Sequence, residues 1–127
     1  MAAAEGEGMN LHRFLDTLGM DRGEELGISV ITVLELAHGI ERADSARRRA
    51  FRERYLDDII AALPIYPVTL AVALRAGSID GQCQAIGTRI PVSDLLIAAT
   101  ALDLGFGIKT ANLRHFNLIP ALRIVQS

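Results

Sequence analysis

The side chains in this sequence that could do chemistry are few and scattered. Glu35 follows the β-branched run "GISVIT" (27–32). Ser93 and Asp94 open the apolar stretch "DLLIAATALDL". Thr110, Asn112 and His115 follow "FGIKT" (106–110). All stand after a segment that reads as a strand or at the start of a helix, and in parallel α/β sheets active sites lie at the carboxyl ends of strands. Each also has a plainer reading. Glu35 can close a capping box with Thr32, and Asp94 can favour a helix N-terminus electrostatically. Asn112 is a natural turn residue, and His115 can be an ordinary loop residue. There is no Gly-rich phosphate loop, no HExxH and no convincing Ser-His-Asp order. One more acid, Asp16, lies in "FLDTLG" (14–19). Leu-Asp-Thr reads there either as a strand carrying a catalytic acid or as an amphipathic helical turn with Asp16 in solvent.

The elements that must position these residues alternate along the chain. Asn10 can cap a helix in which Leu11, Phe14, Leu15 and Leu18 are spaced i, i+3, i+4, i+7. "GISVIT" predicts a buried strand, and Thr32 then opens a helix to about Ala43. Asp44 opens a long Arg-rich helix to about Leu63. "PIYPV" (64–68) is extended, because Pro64 and Pro67 disfavour helix there. Thr69 caps a helix to about Ile86, and Ser93 caps the apolar helix that Gly105 ends. "FGIKT" is a strand, "ANLRHF" a polar loop and "LRIV" (122–125) a last short strand. Strands alternating with helices mean a parallel sheet covered on both faces.

Bulk properties narrow the class. The 127 residues suit one domain, 1–127, and with half of them hydrophobic the chain can bury a sizeable core. The single cysteine, Cys83, rules out an intramolecular disulfide and a cysteine-based zinc site, and fits a reducing cytoplasm. No apolar run has the length of a membrane span, and "MAAAEGEG" has neither the positive start nor the apolar block of a signal peptide. A net charge of −2 argues against non-specific coating of nucleic acid but not against an enzyme that touches it locally.

Three blocks, "SVITVLELAHGIERA", "IPVSDLLIAATALDLG" and "IKTANLRHFNLIPALRI", together resemble the PIN domain, in particular the VapC-type toxins of bacterial toxin–antitoxin pairs. The resemblance spans about residues 10 to 126. It implies a three-layer α/β/α domain with a parallel sheet that gathers three or four acids around Mg²⁺ or Mn²⁺ and cleaves RNA. It maps Glu35 and Asp94 onto metal-holding acids, and Thr110 and Asn112 onto a T-x-N segment; many members carry another acid where this chain has His115. Asn112 is thereby a catalytic candidate, and Ser93, Thr110 and His115 are supporting ones. The chemistry suits such groups. Phosphodiester hydrolysis needs charge stabilised on phosphoryl oxygens and a hydroxide near neutral pH, and Mg²⁺, which prefers hard oxygen ligands, provides both. The resemblance also implies a VapB-type antitoxin lying over the active-site groove, and a homodimer.

"FLDTLG" imitates the acid that ends the family's first, central strand. Asp16 nevertheless lies only 19 residues before Glu35, and its surroundings have helical periodicity. The expectation is therefore a helix over 9–19, with the central strand and its Asp lying before Met1 or lost; Asp16 as the true ligand is the alternative. Two functions follow, a Mg²⁺-dependent endoribonuclease toxin or a catalytically impaired PIN-like module that binds antitoxin or RNA. The arginine run "RADSARRRAFRER" reads as a solvated helix face, or as contacts to phosphate or a partner.

Overall fold

Side-chain hydroxyls close the backbone's open hydrogen bonds at the start of three of the helices. The computed structural model describes residues 16–19, 25–110 and 113–125. The elements are β1 (Thr17–Gly19), β2 (Leu26–Ser29), α1 (Val30–Glu41), α2 (Ala46–Ala62), β3 (Ile65–Tyr66), α3 (Leu70–Ala85), α4 (Val92–Leu104), β4 (Gly107–Lys109) and α5 (Leu113–Phe116). Thr69 caps α3 as expected, its hydroxyl accepting from Val72 N at 3.1 Å, and Gly105 ends α4 in the left-handed conformation at φ 73°. The caps of α1 and α2 differ from expectation. Ser29, not Thr32, caps α1 by accepting from Ile31 N at 3.0 Å, so the helix begins at the residue after the strand and Thr32 is buried inside its first turn. Ser45, not Asp44, caps α2, and Asp44 instead pairs with Arg48.

The strands form one sheet in the order β3-β2-β1-β4. β2 and β3 are parallel, while β1 is antiparallel to both its neighbours. The expected last strand is reduced to a parallel bridge between Ile108 and Ile124. The sheet is thus mixed, and its central place, expected to be vacant, is held by β1. Here the helix expected over 9–19 is corrected: 17–19 are strand, and 9–15 lie outside the described residues. The physical reason is the pair of strand edges on either side. Without β1 the facing edges of β2 and β4 would carry unmatched backbone groups, and an extended segment pairs both at once.

Alternation along the strands sends side chains to opposite faces. Leu18 lies opposite Gly27 and Ile108, whereas Ile28 lies opposite Thr17 and Ile65. Leu18 and Ile108, both fully buried, pack with Val72, Ala76 and Ile79 of α3 and Leu95 and Ala98 of α4. Ile28 packs on the other face with Ile59 of α2 and with Val33 and Leu36 of α1. This is the expected three-layer α/β/α arrangement. Two glycines allow its close approaches: a Cβ on Gly27 would run into the Tyr66 ring, and one on Gly107 into Val125. Among the described residues no helix is long and apolar enough to cross a membrane.

Candidate acid cluster

Because β1 runs against β2 and β4, its beginning lies at the same end of the sheet as their carboxyl ends. The register that sets Thr17 against Ile28 and Lys109 brings Asp16 level with Ser29 and Thr110. Asp16 is only 8% exposed, and the Thr110 hydroxyl donates to its Oδ1. Burial raises its pKa to about 6; the Thr110 hydrogen bond opposes that rise, and the charges of Glu35 and Asp94 add to it.

Glu35 sits in the second turn of α1. With Ser29 as the cap, the capping box that Glu35 was expected to share with Thr32 does not form, so that plainer reading is removed. Glu35 is exposed as a residue, yet its carboxyl pKa is raised, first by desolvation and then by Asp94, against a hydrogen bond from Ser93. Ser93 does not cap α4: Pro91 occupies that position and makes no side-chain bond. The serine hydroxyl instead ties the start of α4 to Glu35. Asp94 lies in the first turn of α4, 8% exposed, with His115 Nδ1 at 2.7 Å from its Oδ2.

Three carboxylates from distant parts of the chain therefore meet at one sheet end, and among the described residues each has a side-chain partner: Thr110 for Asp16, Ser93 for Glu35 and His115 for Asp94. The structure brings together five of the six residues read from the sequence; the sixth, Asn112, lies outside the described residues. The residue misjudged was Asp16, assigned to solvent and found buried among the acids. Its Leu-Asp-Thr context was the signal, and the helical spacing of the apolar residues around it pointed the other way.

The donors are hard oxygens, the kind that Mg²⁺ and Mn²⁺ prefer. Among the described residues no three His, Cys, Asp or Glu side chains are grouped tightly enough to enclose an ion. Mg²⁺ keeps several waters and takes one or two carboxylates rather than a protein cage. Asp16, Glu35 and Asp94 are the residues that would hold such an ion, with water completing its shell.

The arginine run lies elsewhere and is largely occupied. Arg48 pairs with Asp44 at 2.9 Å, Arg49 with Glu41 at 2.8 Å, and Arg52 donates to the Gly39 carbonyl at 2.6 Å. The last two contacts tie α2 to the end of α1, which favours the reading as a structural, solvated face.

The PIN domain family matches residues 3–120 of the chain. The tRNA(fMet)-specific endonuclease VapC of Salmonella typhimurium is 31% identical over 97 residues, 76% of this chain and 71% of that protein. Ribonuclease VapC10 of Mycobacterium tuberculosis is 33% identical over 98 residues, 77% of this chain and 68% of that one. Among solved structures, DNA-bound VapBC from Salmonella typhimurium superposes with a TM-score of 0.69 at 29% identity, covering 76% of this chain and 71% of that one. VapBC-5 from Mycobacterium tuberculosis gives 0.71 at 25% identity, covering 80% and 81%.

Proposed function

Since this chain belongs to the PIN domain family, with VapC ribonucleases among its relatives, we propose that it is a divalent-metal-dependent endoribonuclease toxin that hydrolyses RNA phosphodiester bonds. The observation that carries this reading is the convergence of Asp16, Glu35 and Asp94, two of them with raised pKa values, at one end of the sheet. Like charges brought together and partly desolvated are a cost to the fold, and such clusters are where ligand-binding and catalytic groups concentrate. These three carboxylates would hold Mg²⁺ or Mn²⁺, which when bound supplies Lewis acidity for attack of water on a phosphodiester. Thr110 and Ser93 orient the Asp16 and Glu35 carboxylates, and Asn112, two residues beyond Thr110, is the further polar candidate for contact with the substrate. We also propose, from the family and from the VapBC complexes that this fold resembles, a VapB-type antitoxin as partner and a homodimer as the assembled form.

The test is cleavage of RNA by the purified chain with Mg²⁺ or Mn²⁺, set beside Asp16→Asn, Glu35→Gln and Asp94→Asn. The expected result is cleavage that needs the ion and is lost in all three folded variants. A second reading, a PIN-like module that binds without cleaving, is favoured by the lack of a tight three-ligand group among the described residues. Its mark would be a parent chain that binds a VapB-type antitoxin and leaves RNA intact at saturating Mn²⁺.

A further inference from the structure

The partners of the three carboxylates are not alike. Thr110 and Ser93 offer hydroxyls that rotate, whereas His115 offers a ring nitrogen in a fixed direction. The Nδ1–Oδ2 distance of 2.7 Å is that of a strong, charge-assisted hydrogen bond. A carboxylate can only accept, which puts the proton on Nδ1. The backbone that carries the ring is anchored: Phe116, the next residue, is 1% exposed and Ile119 is 4% exposed, both in the main core. Packing of the chain after β4 thus sets where the imidazole stands. Asp94, on the other side of the contact, sits in a helix turn whose cap makes no side-chain bond.

We infer that His115 is a positioning residue for Asp94: its Nδ1–H holds Oδ2 and fixes the carboxylate's rotation, leaving Oδ1 for a divalent cation. The inference rests on the reading of the acid cluster as a cation site. Donors behind a metal-binding carboxylate orient it, and their loss typically weakens metal affinity about 10- to 100-fold. Two substitutions separate the roles of the two ring nitrogens. Asn has a donor as far from its Cα as Nδ1 is, whereas the donor of Gln lies one bond further out, at the level of Nε2.

The experiment measures Mn²⁺ dissociation constants of the full chain by titration calorimetry, with thermal melts as the check on folding. His115→Ala is expected to weaken Mn²⁺ binding about tenfold or more, His115→Asn to bind close to the parent, and His115→Gln to behave as Ala. Unchanged binding in His115→Ala overturns the inference. So does rescue by Gln and not by Asn, which would make Nε2 a direct ligand. Should His115→Ala melt early, the contrast between Asn and Gln decides alone. Asp94→Asn, run in parallel, tells the two readings apart. If it loses Mn²⁺ while His115→Ala does not, only the positioning role fails. If the parent takes no Mn²⁺, or Asp94→Asn binds as the parent does, the cation site falls and the positioning role with it.

Discussion

Two groups of charged residues behave in opposite ways. On the hairpin of α1 and α2, charges of opposite sign meet in solvent: Arg49 holds the exposed Glu41 carboxyl below its usual range, and Arg48 pairs with Asp44. At the sheet end, charges of one sign meet partly desolvated, and the pKa values of Asp16 and Glu35 go up. Exposed pairs gain little, because water already solvates both partners and salt screens them. Like charges brought together and partly desolvated cost stability, and hydrogen bonds with Thr110, Ser93 and His115 offset part of that cost. Charge placed where it is cheap describes a surface; charge placed where it is costly describes a site.

The contrast breaks most visibly in catalysis. Removing a carboxylate from the cluster, as Asp94→Asn or Glu35→Gln, should lower RNA cleavage at fixed Mg²⁺ by at least about 100-fold, beyond what loss of an orienting partner costs. Single-turnover rates check this, and a variant that keeps a tenth of the parent rate would remove that acid from the chemistry. Arg49→Ala should leave the same rate unchanged.

Next in size is the pH dependence of stability without divalent ions. Asp16 has its pKa raised from 3.8 to about 6 in the fold, so the folded state binds the proton more tightly than the unfolded chain. Its protonation therefore favours folding fully below pH 3.8, and that benefit is lost as pH rises to about 6. A shift of this size corresponds to about 3 kcal/mol. Glu35 acts in the same direction. Melting curves in chelator should show Asp16→Asn gaining on the parent as pH rises from 4 to 7, with saturating Mn²⁺ narrowing the gap by neutralising the cluster. Parallel curves for the two proteins would mean that Asp16 is solvated. Glu41 has the opposite sign: its pKa is lowered in the fold, so its small contribution is present at neutral pH and disappears in acid.

A smaller effect belongs to the cap that positions Glu35. Ser29 is fully buried and closes the start of α1; Ser29→Ala should cost about 1 kcal/mol in chemical denaturation, and Ser29→Thr much less. The smallest is Arg49→Ala, whose effect on the melting temperature should vanish in high salt because its partners are exposed. A salt-independent loss would mean that the hairpin contact carries more of the fold than its exposure allows.

Much of this molecule was legible because the deciding interactions are short in sequence. Thr69 reaches Val72, Gly105 takes the one conformation that ends α4, and Pro64 and Pro67 keep 64–68 out of a helix. The apolar run of α4 could only be buried, and seven of its thirteen residues are. Glu35, Asp94, Ser93, Thr110 and His115 were legible as candidates from their places after strands or at a helix start. Where two local solutions were equally good, sequence reasoning chose badly. Ser29 and Thr32 both offer a capping hydroxyl, and Ser29 prevails because pairing with β3 ends there, with Ser29 opposite Tyr66.

Asp16 is the extreme case. By spacing alone, Leu11, Phe14, Leu15 and Leu18 read as one face of a helix, and nothing nearby in the sequence contradicts it. The strand forms because β2 and β4 each present an open edge, and because Leu18 is buried completely between the layers when the segment is extended. Those partners are far away in the chain: Thr110, which holds the Asp16 carboxylate, is 94 residues on. Local periodicity carries no information about an edge that distant residues create. The sequence by itself offered Glu35 and Asp94 as candidate acids and the helices that carry them; only the assembled sheet decided that Asp16 joins them, at the start of a strand running the other way.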